Sequence, residues 1–323
     1  MTTRRRFLSI SGAALGAAVL SRPAFAQQWP SKPIRAIVPF GAGSTIDVIG
    51  RIVLEPLSAA LGQPIVVENR GGAGGSIGTA AVAKAEPDGY TILIHASAHS
   101  AAPAAYPNAP YDAGRDIRGV AVFGVVPNVT VISPAKGIKT LRELVDAARK
   151  GSFTFASAGI GSATHWAAER LRLAAGFNAL HVPFKGGPEA LTQVASGEVD
   201  FMSIGVTSGL PFIRSGRLIP LAVSTAKRSS ILPEVPTNEE AGVPNSDYTF
   251  WTGVLAAART PADIVQRLHQ ETVKVLAQPN VSDRLKPQGL EPMPLTPAQF
   301  DALIAQEIDI NKAIVKAAGL KFN

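Results

Sequence analysis

The chain contains no cysteine. That absence excludes disulfides, a thiol nucleophile and a thiolate-bound metal. It also leaves nothing to which a lipoprotein anchor could be attached. Beyond residue 26 no stretch approaches the ~20 apolar residues of a membrane span. No basic run with interleaved aromatics occurs there either, which argues against nucleic acid as a partner. Charged residues are only 17% of the chain against 46% apolar, a balance that excludes wholesale disorder. The 25 prolines and 30 glycines recur without a period, so a collagen-like structure is out and a loop-rich α/β protein is favoured. With 323 residues there is enough chain for two domains with separate cores.

The first 26 residues read as an export signal. Arg4, Arg5 and Arg6 precede a modestly apolar stretch from Phe7 to Leu20, and Ala24-Phe25-Ala26 forms a cleavage site before Gln27. Thr3-Arg4-Arg5-Arg6-Phe7-Leu8 looks like the twin-arginine motif. The Ala/Gly dilution and Arg22 fit that route better than general secretion, an ordinary secretory signal with one extra arginine being the alternative. Either route predicts a cleaved signal and a soluble periplasmic protein with no membrane insertion of the mature chain. Four of the 31 basic residues fall in this segment. The other 27 face 24 acids, so the formal +7 shrinks to +3.

Strand-like and helix-like runs alternate along the rest. Ile34–Pro39, Pro64–Glu68 and Tyr90–His95 read as strands, with helices over Asp47–Leu61 and Ile77–Ala85. Val120–Ile132 is apolar and broken by Pro127, which suits a strand carrying the chain between domains. Thr140-x-x-Glu143 is a capping box opening a helix to Lys150. A second α/β unit follows, with Pro-rich Leu232–Pro244 as a surface connection. Tyr248–Ala256 reads as a returning strand, and two helices opened by Thr-Pro pairs at 260 and 296 close the chain.

Three glycine-rich loops fall between strand and helix: Gly41–Asp47, Gly71–Gly78 and Gly159–His165. Backbone N–H groups at such helix starts can grip an anion. None fits G-x-G-x-x-G, because Ile46, Ile77 and Thr164 occupy the third glycine position, so a dinucleotide site is disfavoured. There is no Gly-Lys-Ser/Thr for a phosphate loop, and no cofactor is implied. Ser76 lies in a G-x-S-x-G match, a hydrolase reading that lacks a strand directly before it and a placed histidine; His269 sits in an amphipathic helix. His95 and His99 are spaced for a metal on a helix, but His95 ends a strand, so hydrogen bonding is preferred and no metal site is assigned. His165 is either a ligand contact or a helix cap. Asp47 is a helix cap, a brace for the first loop, or both. Lys185 either offers its charge to a carboxylate or is exposed at a turn.

Taken in order, these segments resemble one family. They include Ile37-Val38-Pro39-Phe40 with Gly43 and Asp47, Val67-Glu68-Asn69-Arg70, Pro87-Asp88-Gly89-Tyr90 and Pro110-Tyr111-Asp112. Gly159-x-Gly161-Ser162 with His165, His181-Val182-Pro183-Phe184-Lys185-Gly186, Gly197-x-Val199-Asp200 and Leu232-Pro233-x-Val235-Pro236-Thr237 continue the series. The mature chain is similar to Bug-type periplasmic receptors, the solute-binding components of tripartite tricarboxylate transporters. The resemblance implies a type II periplasmic-binding-protein fold: two α/β domains, crossover hinge strands and a ligand cleft between. The corresponding boundaries are 1–26 for the signal, 27–125 plus 248–323 for domain 1, and 126–247 for domain 2. It further implies a monomer that binds a small organic carboxylate without catalysis and delivers it to membrane transporter subunits. A sensory receptor signalling to a membrane kinase is the alternative.

Carried over by resemblance, Phe40, Gly43, Ser44, Thr45, Asp47, Ser97 and Ala98 form one wall, and Ser162, Ala163, Thr164 and His165 the other. Where many members carry Asp-Asn, this chain has Ile204-Gly205. Ile204 removes a partner for an ammonium group, which predicts a non-amino carboxylate with an apolar or aromatic portion.

Overall fold

The computed structural model describes residues 29–318; the export signal expected over 1–26 lies outside them. The chain builds β1 (Ile34–Val38), β2 (Ile65–Asn69), β3 (Thr91–Ala96) and β4 (Ile117–Val125). It then crosses over to build β5 (Asn128–Ile132), β6 (Phe153–Ser157), β7 (Ala179–Pro183), β8 (Phe201–Gly205) and β9 (Ile219–Val223). It returns as β10 (Trp251–Ala257). The helices are α1 (Thr45–Leu61), α2 (Ser76–Ala83), α3 (Ala98–Ala105), α4 (Leu141–Ala148), α5 (Ala163–Ala175), α6 (Gly187–Ala195), α7 (Val206–Arg214), α8 (Ala262–Leu276), α9 (Pro279–Leu285) and α10 (Pro297–Ala318).

Two five-stranded sheets result, in the orders β2-β1-β3-β10-β4 and β7-β6-β8-β5-β9. The same rule governs both. Three strands pair in parallel, and the strand arriving from the other lobe, β10 or β5, inserts antiparallel beside the last. Parallel strands need helical crossovers, which cover the sheet faces. The strand expected over 120–132 is therefore two strands in two sheets, divided at Pro127, which offers no N–H to a ladder.

Three helices were not expected from the sequence. α3 contains Pro103, α7 contains Gly209 and Pro211, and α9 is short, so each masks its own period. Leu232–Pro244 is more than a surface connection. Leu232, Val235 and Val243 are buried, and Thr237 bridges to Val223. One apolar cluster runs through both lobes, joining Phe40, Ile46 and Phe250 to Ala163 and Ile204.

Candidate ligand-binding cleft

Four helices start at one place. α1 follows β1, α5 follows β6, α6 follows β7 and α7 follows β8. Each begins beyond the carboxyl end of a parallel strand, where open α/β sheets place their ligands. Their first residues meet around one cavity, lined by Ser44, Thr45 and Ile46 of α1 and its cap, Ser162, Ala163 and Thr164 of α5 and its cap, Gly187 of α6, and Gly205 and Ser208 of α7. Phe40, Ala158, Ile204 and Phe250 complete the wall. A helix start presents N–H groups without intrahelical partners and roughly half a positive charge. Among the described residues no Lys, Arg, His, Asp or Glu lines the cavity. Its attraction for an anion therefore comes from backbone dipoles and hydroxyls.

The two glycine lips are built alike. In the first, Gly43 has φ +77°, Ser44 caps α1 by accepting from Asp47 N, and Asp47 Oδ2 accepts from Gly43 N at 2.9 Å. In the second, Gly161 has φ +71°, Ser162 caps α5 by accepting from His165 N, and His165 Nδ1 accepts from Gly161 N at 3.0 Å. Positive φ is cheap only for glycine, which fixes that residue before each cap. Helix α1 thus starts two residues earlier than expected. Ser44 is its cap, and Asp47 is the brace. The Asp47 carboxylate also takes Arg51 Nε and Asn69 Nδ2, both at 2.9 Å.

Hydroxyl bookkeeping at the second lip leaves a donor over. Thr164 Oγ1 accepts from Ala158 N at 2.8 Å, Ser162 Oγ accepts from His165 N, and the two hydroxyls lie 2.9 Å apart. One of their protons joins the pair; the other is free for a ligand. His165 itself lies behind the lip. Its ring stacks on His181 at 3.8 Å between centroids, and His181 stacks on Phe155 at 4.8 Å. Burial, then the adjacent His181 and Arg172, lowers the His165 pKa to about 3. Burial lowers that of His181 to about 4. Both rings are neutral at pH 7, so no imidazolium stands behind the cleft.

Seven of the predicted residues line the cavity: Phe40, Ser44, Thr45, Ser162, Ala163, Thr164 and Ile204. Six do not. Gly43, Asp47 and His165 shape the lips from behind, as described. Ser97 donates to Tyr248 Oη at 3.0 Å, and Ala98 is fully buried at the start of α3. Lys185 is exposed, and its backbone N–H donates to Glu189. Sequence reasoning missed Ile46, Ala158, Gly187, Gly205, Ser208 and Phe250. Ser208 was hidden with α7; Gly205 and Phe250 carried a signal, as the end of an apolar strand and a residue of the returning one.

Ser76 opens α2 and receives Tyr111 Oη at 3.5 Å. His269 bonds Val120 O from α8, so the two form no dyad. His95 and His99 are fully buried with pKa values lowered by burial, in His99 to about 4. Among the described residues no group of three or more His, Asp or Glu could hold a metal, and no helix is long and apolar enough to cross a membrane.

The cleft is shut. Thr45 Oγ1 lies 3.0 Å from Ser208 Oγ, Tyr106 Oη donates to Ile160 O at 2.8 Å, and Thr207 Oγ1 donates to Gln288 O at 2.7 Å. The second glycine loop joins this seam. Gly71 backs Phe40, while a Cβ on Gly74 would strike Ile160 O. It therefore supports the first lip and also abuts the third loop. The space left between the lips is about 30 Å³.

Two mixed sheets that exchange strands, closing helix N-termini around a shared cavity, define a two-lobed solute-binding protein of the periplasmic type. The chain belongs to the tripartite tricarboxylate transporter family receptors, whose TctC model matches residues 49–320. It is 39% identical over 266 residues to a UPF0065 protein from the tcbD-tcbE intergenic region of Pseudomonas sp. strain P51, covering 81% of this chain and 79% of the relative. It is 35% identical over 323 residues to protein BugT of Bordetella pertussis, covering 98% of each. Among solved structures it resembles Rhodopseudomonas palustris Rpa4515 with adipate, with TM-score 0.86, 31% identity and coverage of 91% and 99%. It likewise resembles MatC of that organism with bound malate, with TM-score 0.83, 30% identity and coverage of 88% and 99%.

Proposed function

We propose that the protein captures a small organic carboxylate between its lobes and presents the closed form to the membrane subunits of a tripartite tricarboxylate-type transporter. The observation that carries this reading is the convergence of four helix N-termini on a cavity without a charged side chain. An anion satisfies those N–H groups, whereas a neutral ligand leaves the field unanswered. The ligands of the two R. palustris relatives, malate and adipate, support a carboxylate.

Among the described residues, the moving bodies are 29–125 with 248–318, and 126–247, acting as a monomer in the periplasm. No bond is made or broken. Function rests on tighter binding in the closed than in the open state. The carboxylate sits on Ser162, Ala163 and Thr164, with Ser44 and Thr45 closing from the other lobe and Gly43, Asp47 and His165 shaping the lips. Phe40, Ile46, Ile204 and Phe250 surround an apolar portion, and no acid is placed to receive an ammonium group.

A thermal-shift screen of mono-, di- and tricarboxylates and aromatic acids tests this, because a bound ligand raises stability with the logarithm of its concentration over Kd. Ser162→Ala with Thr164→Ala is expected to remove the shift while leaving the protein folded. An unchanged shift places the carboxylate elsewhere, and tighter binding of an amino acid than of its deaminated analogue overturns the ligand class.

A further inference from the structure

Asn128 opens β5, just after the chain crosses between lobes. It is 1% exposed, yet neither its amide nitrogen nor its amide oxygen has a hydrogen-bond partner. A buried amide left unpaired is a standing cost to the fold, and such groups are rare enough to need a reason. The backbone offers none. Asn128 O takes Ser224 N–H at 2.8 Å, Val126 N donates to Phe250 O, and Val206 N donates to Pro127 O.

The ladder supplies the contrast and the direction. Two residues along on the same face, Thr130 Oγ1 and Ser203 Oγ satisfy each other at 3.0 Å. Asn128 instead pairs with Gly205, which has no side chain to offer. Partners across a ladder share a face. A Cβ on Gly205 would stand 2.5 Å from Thr45 Oγ1 of the opposite lobe. Both Gly205 and Thr45 line the cavity. The face that carries the Asn128 amide is thus the face turned toward the first lip; Gly205 sets no side chain beside it, and with the lobes shut the Thr45 side chain fills the space beside Gly205.

We propose that Asn128 is a further ligand-recognition residue, its amide meeting the solute beside Gly205 once Thr45 withdraws. An amide both donates through its nitrogen and accepts through its oxygen. A carboxylate answers only the donor. A hydroxyl answers both. The inference rests on the carboxylate-receptor reading and narrows it to a carboxylate that carries a hydroxyl group.

The test pairs hydroxylated acids with their deoxy counterparts, malate with succinate and mandelate with phenylacetate, in calorimetry on the wild type, Asn128→Leu and Asn128→Ala. Leucine removes both polar atoms at nearly constant volume; alanine guards against misfolding of that variant. The wild type is expected to bind the hydroxylated member of at least one pair about tenfold more tightly. Both variants are expected to lose that preference through weaker binding of the hydroxy acid, while ligand-free Asn128→Leu melts no lower than the wild type. A wild type without a hydroxyl preference, or variants that keep it with Kd values within twofold, overturns the inference and leaves the receptor reading intact. A folded wild type that binds no carboxylate overturns both.

Discussion

Gly205→Ala is expected to act as a wedge that spares the fold and blocks closure. The backbone at Gly205 has φ −54° and ψ 128°, which any L-residue adopts without strain. The added methyl would stand 2.5 Å from Thr45 Oγ1, 3.1 Å from its Cγ2 and 3.2 Å from its Cβ. Thr45 Cγ2 and Cβ crowd the methyl as well, so turning the hydroxyl aside does not clear the space. The lobes must therefore stop short, losing the 3.0 Å contact between Thr45 and Ser208. Overpacking costs about 1–3 kcal/mol and a lost hydrogen bond about 1 kcal/mol. Together they weaken closure by about 2–4 kcal/mol, or affinity by about 30- to 1,000-fold. Calorimetry with a carboxylate that binds the wild type reads the loss. The free protein relieves the clash by opening, so its melting temperature is expected to hold within about 3 °C. Thr45→Ala removes two of the three opposing atoms and should restore at least tenfold of the affinity in the double variant, a coupling that independent sites do not show. Undiminished binding by Gly205→Ala would refute a closed state of this geometry. A collapse of the ligand-free melting temperature would refute the claim that the wedge is confined to closure.

Tyr106→Phe removes a 2.8 Å hydrogen bond that spans the seam and should weaken ligand binding about fivefold, read by calorimetry, with little change in melting temperature. Asp47→Ala strips Gly43, Arg51 and Asn69 of a shared acceptor, and a loss of about 2–3 kcal/mol in denaturant unfolding is expected, together with weaker binding as the first lip loosens. Folded His165 and His181 have pKa values lowered to about 3 and about 4, against 6.5 in the unfolded chain, so the unfolded chain binds protons first. Their contribution is intact above pH 6.5 and is lost as pH falls from there through about 4 and about 3; acid-unfolding curves should show His181→Phe declining less steeply over that window.

The strand-to-helix alternation was legible because it depends on local period and local caps. Ile34–Val38, the Thr140–Glu143 capping box and both glycine lips announce themselves within a few residues. The lips were legible as helix starts for the same reason. What sequence could not show was which atoms end up behind the lips and which between them. Ser97 is tied to Tyr248, a contact 151 residues away, and Ala98 is buried at the start of α3. Ser208 enters the cavity from a helix whose Gly209 and Pro211 lower its helical propensity, and it contacts Thr45 across 163 residues. Phe250 arrives by the return crossover, whose register depends on pairings far away in the chain. Contacts made by lobe closure leave no periodic trace in any one segment.

The likeness of the two lips makes their one difference informative. Position N3 of α1 is Asp47 and that of α5 is His165, each accepting from its glycine N–H. One turn further, α1 places Arg51 beside Asp47, whereas α5 places Glu169 3.9 Å from His165. The first lip thus carries a buried carboxylate paired with Arg51 and Asn69. The second carries a neutral ring, with the buried Glu169 carboxylate paired to Arg172 behind it, and a spare hydroxyl proton. On the proposed reading, the spare hydroxyl proton makes the second lip the carboxylate's first dock. That reading predicts that the solute docks on the β6–α5 lobe in the open state and the β1–α1 lobe closes over its far end. Because the grip comes from dipoles and hydroxyls rather than from a cation, reopening has no salt bridge to break. Such a site holds its ligand only while the lobes exclude water, a property that suits capture followed by release.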